Sequence, residues 1–178
     1  MWRRRRGRSN GLAIGIILAS AITITVVAAA ASVVAGQGRT AASWRLVVRD
    51  ANGVTLARAD LGEGRFALHY RNSVYGSRAE ERFTVLDDGR IHLVGLAADD
   101  AAVLGEYYGT RDPRRAAIGA AFRWEAAPAH PVTIERLRLA ATDLGERALI
   151  VDGRPPIDLW RLVADSAPEV SLGAERIR

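Results

Sequence analysis

Phe66-Ala67-Leu68-His69-Tyr70-Arg71 sets Phe66, Leu68 and Tyr70 in strict alternation with Ala67, His69 and Arg71. A period of two is the repeat of a β-strand with one face buried and the other in solvent. Working outward, Trp44, Leu46 and Val48 alternate with Arg45, Val47 and Arg49, and Asp50-Ala51-Asn52-Gly53 turns the chain into a returning strand over 54–57. Downstream, Phe83 and Val85 alternate with Arg82 and Thr84. Asp87-Asp88-Gly89 then leads into Ile91-His92-Leu93-Val94, a hairpin with suitable turn chemistry. Strands are also predicted over 133–139, 147–151 and 157–163, the last two joined by the turn Asp152-Gly153-Arg154-Pro155-Pro156.

The stretch 97–121 is less regular. Residues 99–105 read as one helical turn or a loop, Gly105-Glu106-Tyr107-Tyr108-Gly109 with Asp112-Pro113 as an exposed excursion, and 116–124 as a strand or a short helix. Short strands separated by turn signals roughly every 8–12 residues, without long alternating helices, predict a mainly β fold. The expectation is a small antiparallel β-sandwich or barrel-like domain over 44–172.

Before that domain the pattern is different. Arg3, Arg4, Arg5, Arg6 and Arg8 precede an uncharged, mostly apolar run over 11–35. At helical rise the run reaches about 37 Å, enough to cross a hydrocarbon core of about 30 Å. The reading is a cytoplasmic basic leader (1–10), a transmembrane signal anchor (11–35) and a linker (36–43), with the β-rich domain extracytoplasmic. The alternative is an export signal cleaved near Ala35, since Val33 and Ala35 precede Gly36 at suitable positions.

The net charge of +5 is explained by the same segment. All 25 basic residues are arginine; five lie in the leader, and the other 20 balance 20 acidic residues. The part after the leader is therefore neutral in sum, with no basic stripe interleaved with aromatics, and no nucleic-acid partner is expected. The absence of cysteine excludes disulfides and thiolate chemistry. His69, His92 and His130 are spaced too widely for a compact metal motif, and neither a metal nor a cofactor is expected. Ser73 lies outside any G-x-S-x-G elbow, and adjacent Glu80 and Glu81 point to opposite faces of a strand. An exported hydrolase using Ser73 or a carboxylate, and a purely structural envelope protein, stand as alternatives to a binding role.

The stretch Tyr70-Arg71-Asn72-Ser73-Val74-Tyr75-Gly76-Ser77-Arg78-Ala79-Glu80-Glu81-Arg82-Phe83 resembles a family motif. It is similar to the Y-x-H-S-V-x-x-x-x-V-x-E-x-[FY] core of the bacterial DUF1850 family, on Tyr70, Ser73, Val74, an acid at Glu80 or Glu81, and Phe83. The order of elements over 44–172 fits as well. Two departures stand out: Asn72 replaces the motif histidine, and Leu104-Gly105-Glu106-Tyr107-Tyr108-Gly109 replaces a Gly-rich stretch. The resemblance implies a small exported or anchored domain without assigned activity, often encoded beside tripartite TRAP-type solute transporters, and hence a transport accessory. The expected function is a membrane-anchored binding module whose partner is a membrane transporter, an envelope protein or a small carboxylate. Arg71, Asn72, Ser73, Tyr75, Arg78 and Glu80 form the candidate ligand set, because Arg forks and neutral donors can hold a carboxylate.

Overall fold

The computed structural model describes residues 43–177. The leader 1–10, the run 11–35 and nearly all of the linker 36–43 lie outside the described residues. Among the described residues no helix is long and apolar enough to cross a membrane.

The chain is mainly β. Its strands are β1 (Trp44–Asp50), β2 (Thr55–Leu61), β3 (Arg65–Asn72), β4 (Ser77–Val85), β5 (Ile91–Ala98), β6 (Arg114–Arg115), β7 (Trp124–Ala126), β8 (Thr133–Ile134), β9 (Arg136–Ala140), β10 (Ala148–Ile150), β11 (Ile157–Asp158) and β12 (Glu169–Arg176). They form two antiparallel sheets, ordered β2-β1-β12-β9 and β11-β10-β3-β4-β5-β7-β6, with β8 pairing the start of β5. Neither sheet closes on itself, so the barrel-like alternative is corrected to two open sheets.

Period-two burial explains why the sheets face each other. Trp44, Leu46, Val48, Ala59, Leu61, Val170 and Leu172 of the first sheet share one core with Phe66, Leu68, Phe83, Val85, Ile91 and Leu149 of the second. Phe66 and Phe83 are direct cross-strand partners and their rings stack at 5.1 Å, an arrangement worth about 0.5–1.5 kcal/mol beyond area burial. A second cluster of Tyr70, Ala79, Leu96, Ala98, Val103 and Leu104 contains no residue of the first sheet. Its cover is instead a single wide helical turn, Val103–Tyr107. Thr110 locks that turn by donating its hydroxyl to the Leu104 carbonyl at 2.8 Å.

The two ends of the sheets differ. Trp44 begins β1 beside Leu61 and Arg176. Its ring lies against Gly89, where φ is +85° and a Cβ would come within 3.2 Å of the ring, so only glycine fits that hairpin turn. The opposite end carries the β3–β4 turn and the last residues of β5. The chain therefore enters the described domain at the end remote from the β3–β4 turn.

Several boundaries differ from expectation. The stretch 116–124 is neither a strand nor a helix; it is mostly the loop of the β6–β7 hairpin, closed by Ala116 N–H on the Arg123 carbonyl at 3.0 Å. The strand expected over 157–163 stops at Asp158, because the chain turns there and buries Leu159 in the core. The strand expected over 133–139 divides at Glu135, β8 pairing in one sheet and β9 in the other. β5 runs on past Val94 through a bulge, which shifts the buried parity from Ile91 to Leu96 and Ala98. β12 was not anticipated; it carries the strand pattern past Leu172 to Arg176 and pairs along all of β1.

Two changes should report on that pairing. Leu172→Ala should cost about 2–5 kcal/mol in urea unfolding. A chain ending at Leu172 should lose cooperative unfolding, because the partners of Trp44, Arg45, Leu46 and Val47 are then missing.

Candidate functional site

The β3–β4 register sorts the candidate residues by face. Arg71 opposes Arg78 and His69 opposes Glu80 on the outer face, while Tyr70 opposes Ala79, Leu68 opposes Glu81 and Phe66 opposes Phe83 on the inner face. Asn72 closes the inner row opposite Ser77. The predicted set divides by face, although Arg71, Asn72 and Ser73 line one crevice. Arg71, Arg78 and Glu80 lie outside, Asn72 inside, and Ser73 and Tyr75 in the connecting turn.

On the outer face the charges satisfy one another. His69 Nε2 sits 2.6 Å from Glu80, whose other oxygen accepts from Arg82. Burial opposes ionisation of Glu80, yet the hydrogen bonds from His69 and Arg82 and their charge outweigh it and hold the carboxyl below its ordinary range. Arg78 donates to Asp99 at 2.8 Å and to the Ala121 carbonyl at 3.3 Å, and its guanidinium lies over Phe122. Arg71 holds both oxygens of Glu146 at 3.0 and 3.1 Å. The Arg forks expected to receive a carboxylate ligand thus already hold carboxylates of this chain.

The turn residues have local duties. Asn72 Oδ1 accepts from the N–H groups of Val74 and Tyr75 at 3.1 and 3.2 Å, the pattern by which asparagine stabilises a tight turn. Tyr75 donates to Glu106 at 2.7 Å. Ser73 is exposed. His69 is engaged by Glu80 and His92 by Thr133, while His130 lines a separate groove with Thr110 and Asp112. Among the described residues no hydrogen bond joins Ser73 to a histidine. Among the described residues no group of three or more His, Asp or Glu side chains is placed to hold a metal ion.

The inner face holds a feature that sequence reasoning passed over. Glu81 points into the seam between the two apolar clusters, flanked by Phe83 and Ala79 on its own strand. A carboxylate so placed needs donors. Tyr108 donates to Glu81 at 2.6 Å, and Tyr70 meets the Tyr108 oxygen at 2.5 Å. With the Tyr108 proton committed to Glu81, Tyr70 must donate to Tyr108, giving a directed chain Tyr70–Tyr108–Glu81. Burial, then the charge of Glu81, pushes the Tyr108 hydroxyl far above its ordinary value. Burial does the same for Tyr70, outweighing the hydrogen bond it shares with Tyr108. Both phenols therefore stay protonated and keep donating at neutral pH.

This chain ends at a crevice of about 190 Å³ lined by Tyr70, Asn72, Val74, Tyr107, Leu144 and Arg147, among others. Arg147 stacks over the Tyr70 ring at 4.8 Å. Three apolar side chains of the rim are exposed: Val74 is 75% exposed, Leu144 63% and Tyr107 56%. Leu144 sits on a tight turn whose Glu146 adopts φ +44°, in the left-handed region. That conformation costs a non-glycine residue roughly 1–2 kcal/mol. The Arg71 fork on Glu146 and the Arg71 N–H on the Gly145 carbonyl at 2.8 Å hold it in place. The alternation around Tyr70 gave a signal for Tyr70 and Glu81. Tyr108, Leu144 and Arg147 gave none, since Tyr108 reaches Tyr70, and Leu144 and Arg147 reach the crevice, from distant parts of the chain.

No family model, curated protein or solved structure matches this chain.

The outer-face pairing makes a pH prediction. The carboxyl of Glu80 ionises more readily in the folded chain than the ordinary value of about 4.3 for a free glutamate. Its contribution to stability is thus present above that value and lost as pH falls through the depressed one. Urea unfolding of wild type and Glu80→Gln should differ most at neutral pH, and the difference should shrink below about pH 4. A constant difference down to pH 2 would contradict the pairing.

Proposed function

We propose that this chain is a membrane-anchored, extracytoplasmic β-sandwich module that docks a partner protein through the crevice at the end of its sheets, as an accessory to a solute transporter. The observation that carries the docking role is the set of exposed apolar side chains Val74, Tyr107 and Leu144 around a crevice that Tyr70, Asn72 and Arg147 also line. Exposed apolar side chains scattered singly need no explanation, but three around one concavity mark an interaction surface. A volume of about 190 Å³ falls below the roughly 300–1,000 Å³ of small-molecule sites, favouring a side chain of a larger partner over a whole solute.

Position supports the same reading. The crevice lies at the end of the sheets remote from Trp44, where the chain enters the domain, so a tether there leaves it open to a partner. The anchor rests on the length of the 11–35 run and the arginines before it. The accessory role rests on the resemblance of 70–83 to the DUF1850 motif.

Two measurements test this. The intact mass of the chain extracted from membranes should still include 1–35; a mass beginning at Gly36 would replace the anchor with a cleaved leader. A photo-crosslinker replacing Leu144 should give one discrete adduct in membranes of the producing cell, and the same group at exposed Glu63 should give none. Val74→Asp should abolish the adduct without lowering the melting temperature. Equal labelling at both positions would reject the crevice as the docking site.

A further inference from the structure

Resting on that docking reading, we infer that the crevice recognises the side-chain carboxylate of an Asp or Glu in the partner, held between Arg147 and Asn72. The acid's apolar neighbours lie on Val74 and Leu144.

Asn72 supplies the first half of the argument. Only 4% of the residue is exposed. Its Oδ1 is consumed by the Val74 and Tyr75 N–H groups, which fixes the amide and turns Nδ2 the other way. No acceptor among the described residues takes Nδ2, yet no fully buried side-chain polar atom there is without a partner. Nδ2 therefore keeps some exposure, and the concavity that Asn72 lines is this crevice. It is a deep, oriented donor without an acceptor of its own chain.

Arg147 supplies the second half. Its guanidinium is stacked on Tyr70, so one face is used by the ring while the N–H edge remains available for a forked contact. Neighbouring Arg71 and Arg78 each hold a carboxylate of this chain, whereas Arg147 has none among the described residues. Half-burial strips part of its hydration and raises its demand for a counter-charge. The interior carboxylate of Glu81 does not meet that demand directly, because Tyr108 and Tyr70 stand between it and the crevice and direct their protons toward it.

The donors decide the ligand type. A guanidinium edge and an amide N–H₂ converge on a space that holds about one side chain, and both recognise a planar carboxylate. Capture of a chain terminus uses nests of backbone N–H groups. Here the donors are side chains, and apolar shoulders lie on both sides, as a segment running through the crevice requires.

The test uses the full chain in detergent micelles and three capped tripeptides, acetyl-Leu-Asp-Leu-amide and its Asn and Lys counterparts. The backbone amide signals of Asn72, Leu144 and Arg147 are followed by NMR. The Asp peptide should shift them saturably and bind about tenfold tighter than the Asn peptide, a difference of about 1.4 kcal/mol. Arg147→Gln should erase that preference while leaving the weak apolar binding. Equal binding of Asp and Asn peptides, or a preference for Lys, overturns the inference. If no tripeptide binds while the Leu144 crosslink persists, carboxylate recognition fails and docking stands; loss of both rejects the docking reading itself.

Discussion

The pairing register of β3 with β4 is the constraint on which the rest of the molecule depends. Side chains alternate across a strand, so a slip of one residue would exchange the faces of every group in the hairpin. In the observed register Phe66, Leu68, Tyr70 and Asn72 point inward with Phe83, Glu81 and Ala79, while Arg71, Arg78 and Glu80 point outward. The Phe66–Phe83 stack pins one end, and the Asn72 carboxamide bound to two turn amides pins the other. Between those pins the hairpin supplies Phe66, Leu68, Phe83 and Val85 to the common core and one wall of the crevice.

That register places a carboxylate where an apolar side chain would pack with less cost. Glu81 is half-buried there, so its carboxylate needs donors. The excursion after β5 compensates by returning Tyr108 to the seam, with Tyr70 completing the hydroxyl chain. A satisfied polar network in a core specifies one arrangement of its elements more sharply than apolar contacts do. Here it fixes the Val103–Tyr107 turn over the second cluster and sets Tyr70 as the platform for Arg147. The strained turn at Glu146 belongs to the same economy, since the outward Arg71 holds it and so positions Leu144 at the rim.

Local pattern carried the fold class and most strands, because a half-buried strand writes its period of two directly into the chain. Legibility failed where the pattern was broken by geometry that only pairing explains. The bulge opposite Arg82 and Phe83 reverses parity within β5, so its second half looked irregular. Val170, Leu172 and Ala174 do alternate, and β12 could have been read from them. Leu159 looked like a strand residue because it is apolar at an alternate position, yet it fills the core from a turn. At the crevice, the residues near the β3–β4 turn were legible as a unit but not their division between two faces. Arg147 and Tyr108 come from segments 77 and 38 residues beyond Tyr70, a distance no local rule spans.

The most direct test is a pair of double-mutant cycles on unfolding free energy. Tyr108→Phe combined with Glu81→Leu should show a coupling of about 1–3 kcal/mol, while Tyr108→Phe with Glu80→Leu should be additive within about 0.5 kcal/mol. Coupling of Tyr108 to Glu80 instead, or to neither, would contradict the face assignment from which the crevice is built.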